Sequence, residues 1–218
     1  MPGRSPIRLT MLYKTIAVCL LLAPLCAAAD HSNEWNYEES HDDARDFVTG
    51  GMLHVRLSVG DLHIKRGDSN QIRVHYTVKS WREANVKNAH VDFEVRGNDA
   101  SIEFHAPSGG NTQIDVELDV PATTNLDVHE KVGDLIVENV EGDKDLELGV
   151  GDIRIADGHS DYHLVRASSS IGDVDGDVSA NQRGEVSGWL GKTLKYHGDG
   201  KYELRAHVGV GDIRLEGK

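Results

Sequence analysis

The chain has 218 residues, room for one large domain or two small ones. Its 36 acidic residues outnumber 23 basic ones, and the formal charge of −13 disfavours nucleic acid and anionic lipid surfaces as partners. Both cysteines, Cys19 and Cys26, fall within residues 1–29, so the remainder can form no disulfide, thiolate metal site or cysteine nucleophile.

Residues 1–29 read as a secretory signal peptide. MPGRSPIRLTMLYK carries Arg4, Arg8 and Lys14, the apolar run TIAVCLLLAPLC follows, and AAA precedes a cut after Ala29. Leu25 stands where a lipoprotein wants a small residue before an acylated Cys26, and the apolar run is short of the ~20 residues that span a bilayer. Cleavage removes three basic residues and no acidic one, taking the charge to −16. No second apolar stretch follows, so no membrane span is expected after processing.

Residues 30–46, DHSNEWNYEESHDDARD, are polar and acidic without a period, the composition of a flexible leader. From Phe47 the chain alternates apolar and polar residues, as in MLHVRLSV, IRVHYTV, SIEFHAP and TQIDVELDVP, which predicts strand after strand. KSWREANVKNAH (79–90) is the one candidate for a helical turn. Residues 47–120 are thus expected to form a wider, mainly antiparallel β part.

The second half repeats itself. GVGDIRIADG (149–158) returns as GVGDIRLEGK (209–218). A dinucleotide fingerprint would need a third glycine where Arg154 and Arg214 stand, followed by a helix, and neither is present. The pairs Gly60-Asp61, Gly133-Asp134, Gly151-Asp152, Gly172-Asp173 and Gly211-Asp212 each sit between apolar residues. Spacings of 18, 21 and 39 residues separate the last four, with LGKT (190–193) as a degenerate copy inside the longest. A period near twenty predicts stacked repeats. Each repeat has a short strand after the corner (LIV, IRI, IRL) and a second after a turn (LEL, YHL, YEL). The fold class expected is therefore all-β, with residues 121–218 a right-handed β-solenoid of two-strand coils stacked in parallel and capped by 47–120, the whole of 47–218 one continuous domain. The corner glycines supply φ > 0, and the aspartates bond the turn's own amides. Lys192 is expected to enter the aspartate ladder between Asp173 and Asp212. The final coil is expected to leave an open parallel edge, covered by the leader or used for self-association.

Few residues suggest chemistry. Like charges stacked in the ladder could share calcium, but the nine-residue calcium repeat is absent, and amide capping is the reading adopted. His159 and His163 share a strand face in HSDYH, and Glu147 from a neighbouring coil could join two such ligands; a solvated polar face is the reading adopted for them. Trp189, just before the degenerate copy, could stack on a sugar or partner if it is not a core or cap residue. No H-E-x-x-H, G-x-S-x-G or Ser-x-x-Lys is present, so no metal site, cofactor or catalytic residue is assigned.

Strand pairs ending in ELDVPATTNLDV, followed by VGDL/I repeats after a signal peptide, resemble the bacterial family of exported β-solenoid proteins called putative adhesins. The resemblance covers roughly residues 47–218 and departs at LGKTLKY. It implies a non-enzymatic binding module, periplasmic, on the outer surface or secreted, whose partner is an envelope or extracellular protein or glycan. The alternative from another class is a polysaccharide lyase or hydrolase on the same scaffold.

Overall fold

A computed structural model describes residues 35–107, 111–157, 162–176 and 191–217. The first half contains β1 (Tyr37–Asp46), β2 (Met52–Val59), β3 (Leu62–Arg66), β4 (Gln71–Ser80), α1 (Glu83–Asn88), β5 (His90–Arg96), β6 (Asp99–His105) and β7 (Thr112–Val120). The second contains β8 (Asn125–Val132), β9 (Leu135–Glu138), β10 (Lys144–Val150), β11 (Ile153–Ala156), β12 (Tyr162–Ile171), β13 (Val174–Gly176), β14 (Lys192–His197), β15 (Tyr202–Val210) and β16 (Ile213–Leu215). The fold is all-β with two mixed sheets. One runs β1-β4-β7-β3-β9-β11-β16-β13 and the other β14-β12-β15-β10-β8-β2-β6-β5.

The Gly-Asp corners connect the sheets. β2–β3, β8–β9, β10–β11, β12–β13 and β15–β16 each cross between sheets at one corner, whose glycine has φ between +136° and +150°. Residues of equal rank then pair in parallel, as Leu62↔Leu135, Leu135↔Ile153, Ile153↔Ile213 and Val174↔Ile213. Alternation turns one side of every strand inward. Leu53, Leu126, Leu62, Leu135, Leu146 and Ile153 are almost wholly buried, and the apolar core lies along these inward rows.

The corners do not stack in chain order. β15 lies between β10 and β12, and β16 between β11 and β13. The corner sequence is therefore Gly60, Gly133, Gly151, Gly211, Gly172. This corrects the expectation of an open edge at the final repeat, because β15 and β16 have both backbone edges paired. It also removes self-association through that edge. Nor does LGKT form a rung: Lys192 opens β14, which runs antiparallel to β12 with Lys192 opposite Ser169.

The acidic leader is corrected too. Residues 37–46 form β1, antiparallel to β4 over ten pairs from Tyr37↔Ser80 to Asp46↔Gln71. Its side chains point almost entirely to solvent, so it carries no apolar period. Backbone pairing and polar cross-strand contacts hold it, among them Ser40 with Thr77 (2.9 Å) and Gln71 with Asp46 (2.8 Å). The mainly antiparallel first half holds for β1-β4-β7 and β5-β6, whereas β2 and β3 pair in parallel on both sides. The helical turn forms as α1, with Val86 buried. Trp35–Lys218 is one compact unit.

Candidate functional site

The aspartate of each corner reaches one step along the stack. The Asp134 amide donates to Asp61 Oδ1 (3.2 Å), Asp152 to Asp134 (3.0 Å), Asp212 to Asp152 (2.9 Å) and Asp173 to Asp212 (2.8 Å). Four of the five carboxylates, all but that of Asp173 at the end of the row, thus cap the amide of the next corner rather than their own turn. Cations close both ends. Lys192 Nζ contacts Asp173, and at the other end Lys79 Nζ donates to Asp115 Oδ2 (2.7 Å), while Asp115 Oδ1 lies 3.4 Å from the Asp61 amide. Lys192 therefore terminates the row instead of entering it. Burial, with the charges of Asp115 and Asp134, raises the Asp61 carboxyl above its usual range, against the amide bond from Asp134. With amides and lysines meeting these carboxylates, millimolar calcium is expected to leave the melting temperature unchanged; a large calcium-dependent rise in a thermal melt would contradict this.

The residue before each corner glycine forms a second row. Val59 pairs with Val132, Val132 with Val150, Val150 with Val210 and Val210 with Ile171. All five lie beyond the last buried rung and are 43% to 56% exposed. Single exposed apolar residues are ordinary, but five in register make a continuous stripe, ~19 Å long at ~4.8 Å per strand. The residues just before the stripe are Ser58, Lys131, Gly149, Gly209 and Ser170. A Cβ on Gly149 would stand 2.5 Å from the Lys131 carbonyl oxygen, and one on Gly209 2.5 Å from that of Gly149. These glycines leave a trough of about 550 Å³ on the outer sheet face, lined among others by Arg56, His129, Lys131, Glu147 and His207.

Histidines and carboxylates alternate across the same face. His54 Nδ1 lies 2.6 Å from Asp127, and His129 lies 2.9 Å from Asp127 and 2.8 Å from Glu147. Glu147 thus meets His129 of β8. His163 stands on β12, which β15 separates from β10, so it does not join Glu147. His159 and Trp189 lie outside the described residues. Two groups escaped the sequence reading because they are polar residues at inward positions. Glu130 is 3% exposed in a row otherwise formed by Leu57, Leu148, Val208 and Ser169. Lys144 is buried between Leu126 and Leu204, its ammonium 3.1 Å from Asp157 and bonded to the Tyr162 hydroxyl and the Gly142 carbonyl. Burial lowers the Lys144 pKa, opposed by the Asp157 charge.

No family model matches the chain, and no curated protein matches it. Among solved structures it is similar to a putative cell adhesion protein from Clostridium sporogenes, at 16% identity, covering 83% of this chain and 100% of that one, with a TM-score of 0.48. A putative adhesin from Bacteroides fragilis matches at 10% identity over 82% of this chain and 97% of that one, with a TM-score of 0.26. A putative lipid binding protein from Parabacteroides distasonis matches at 9% identity over 83% and 98%, with a TM-score of 0.29. Likeness at this level assigns neither a partner nor an activity to this chain. Among the described residues, no helix is long and apolar enough to cross a membrane.

Proposed function

We propose that this chain is an exported, non-enzymatic β-solenoid whose stacked strand ends hold an envelope or extracellular protein. The solenoid reading is supported by repeats that give one strand to each sheet and by corners that pair in register. Export is supported by the charged, apolar and small-residue order of residues 1–29. The stripe Val59–Val132–Val150–Val210–Ile171 carries the binding reading. Threonine would satisfy the backbone at such exposed strand ends as well as valine does, yet all five positions are Val or Ile. A glycan is less favoured, because the stripe is aliphatic and offers no aromatic face on which a sugar could stack. A lyase or hydrolase would need free acids converging on a groove. Of the acids lining the trough, Glu147 is taken by His129, Glu130 belongs to an inward row and Glu103 lies 4.0 Å from His105.

The test keeps the shape and removes the apolarity. With Val132, Val150 and Val210 all changed to threonine, the melting temperature should hold. Retention of the partner captured from envelope extract should weaken about thirtyfold, from roughly 2 kcal/mol of lost burial. Equal retention by the variant, or no partner retained by the wild type, would contradict the proposal.

A further inference from the structure

The hairpin β5–β6 ends the second sheet, and its outer face brings together residues that lie far apart in the sequence. His90 pairs directly with His105, and Asp92 with Glu103. Alternation puts all four side chains on one face. Ligand atoms of His90, Asp92 and His105 all lie within 4.8 Å of one another. We propose that His90, Asp92 and His105 form a site for a zinc ion, with Glu103 within reach as a fourth ligand.

The chemistry of the set fits the ion. Zinc accepts imidazole nitrogen and carboxylate oxygen at ~2.0–2.2 Å, so ligand atoms of a tetrahedral site stand ~3.3 Å apart. Contraction by about 1.5 Å from the observed spacing is within the reach of side-chain torsions on exposed strands. His105 Nε2 is shielded from solvent and has no hydrogen-bond partner among the described residues. It makes ion-pair contacts with Asp92 Oδ2 at 3.2 Å and Glu103 Oε1 at 4.0 Å, neither in hydrogen-bond geometry. His90 is prepared differently. Its Nδ1 lies 3.4 Å from the Asn88 carbonyl, the outer-shell contact that fixes a metal-binding imidazole and leaves Nε2 free to ligate. The two rings are already near parallel, with centroids 4.7 Å apart. Backbone pairing of β5 with β6 fixes the Cβ positions before any ion arrives, so little ordering is left to binding.

Two other histidines of this face differ. His54 and His129 each sit between two carboxylates at short range, closing both ring nitrogens. They supply the control. Full-length protein with Cys19 and Cys26 changed to serine is stripped with chelator and titrated with zinc chloride by calorimetry. The wild-type histidine set should bind one zinc ion. His90→Asn, an exposed change that leaves the fold intact, should weaken binding beyond the ~10–100-fold that loss of an outer-shell partner costs, and His105→Asn likewise. His129→Asn should bind as the parent does. No zinc uptake by the parent, uptake unchanged in His90→Asn, or uptake lost in His129→Asn would each overturn the assignment.

Discussion

Gly151→Val should severely destabilise the protein. Gly151 sits at φ +136°, where a β-branched residue is strained in any surroundings. The larger obstacle is its neighbour. A Cβ on Gly151 would stand 1.7 Å from the Gly133 carbonyl oxygen, and one on Gly133 the same distance from that of Gly60. Neither backbone can retreat alone. The Gly133 amide donates to the Val150 carbonyl (3.1 Å) and the Gly151 amide to that of Val210 (3.0 Å), so moving one corner breaks the pairing of the next. A loss above ~4 kcal/mol is expected, against a typical total stability of ~5–15 kcal/mol. Gly97 is the control: its φ is +66° and a Cβ there would meet nothing within 4 Å, so Gly97→Asn should shift a urea melt little. A cooperative Gly151→Val melt close to that of the parent would contradict the stacked corner.

Glu130→Leu should stabilise the protein, by about 3 kcal/mol at pH 7. Neither Glu130 oxygen has a hydrogen-bond partner among the described residues, and burial, aided by the charges of Asp61 and Asp134, pushes its pKa up to about 8. In the unfolded chain the group ionises near its ordinary value of 4.5. Below that pH both states are protonated, and Glu130 carries no ionisation cost, only the pH-independent cost of burying an unpartnered carboxyl. Between about 4.5 and 8 the unfolded state gives up its proton and the native state keeps it, so the parent loses stability as pH rises. The Leu57 and Leu148 neighbours define a site that accepts leucine. The gain should shrink toward that of the packing alone at pH 4, and Glu130→Gln should abolish the same pH dependence. Urea melts at pH 4 and pH 7 decide it; a gain independent of pH would place the charge elsewhere.

The local features of the fold were legible and the choices among equivalent partners were not. Period-two alternation marked the strands, and the repeated Gly-Asp pair marked corners, because both depend on the backbone of a few residues. The order of the corners depends on which strand pairs with which. VGDI at 150–153 and VGDI at 210–213 are the same motif, so a period says nothing of the Gly211 repeat lying between those of Gly151 and Gly172. β1 was missed because both its faces meet solvent and its pairing with β4 is carried by backbone. The same nonlocality hid the candidate sites. Val132 and Val150 read simply as strand residues until the register lined them up, and His90 meets His105 only through the β5–β6 pairing. Glu147 was singled out for a histidine contact and has one, but with His129, because β15 stands between it and the strand of His163.

The order of the apolar stripe, with Val210 between Val150 and Ile171, requires β15 to occupy the slot between β10 and β12. Paired cysteines read that slot directly, in protein with Cys19 and Cys26 changed to serine. Adjacent strands stand ~4.8 Å apart, within the ~4.4–6.8 Å Cα separation that a disulfide bridges, and strands two apart do not. Val150→Cys with Val210→Cys, and Ile171→Cys with Val210→Cys, should each oxidise to an intramolecular disulfide. Val150→Cys with Ile171→Cys should remain reduced. A disulfide in this last pair, with none in the first, would mean that the repeats stack in chain order and that Val210 does not lie between Val150 and Ile171.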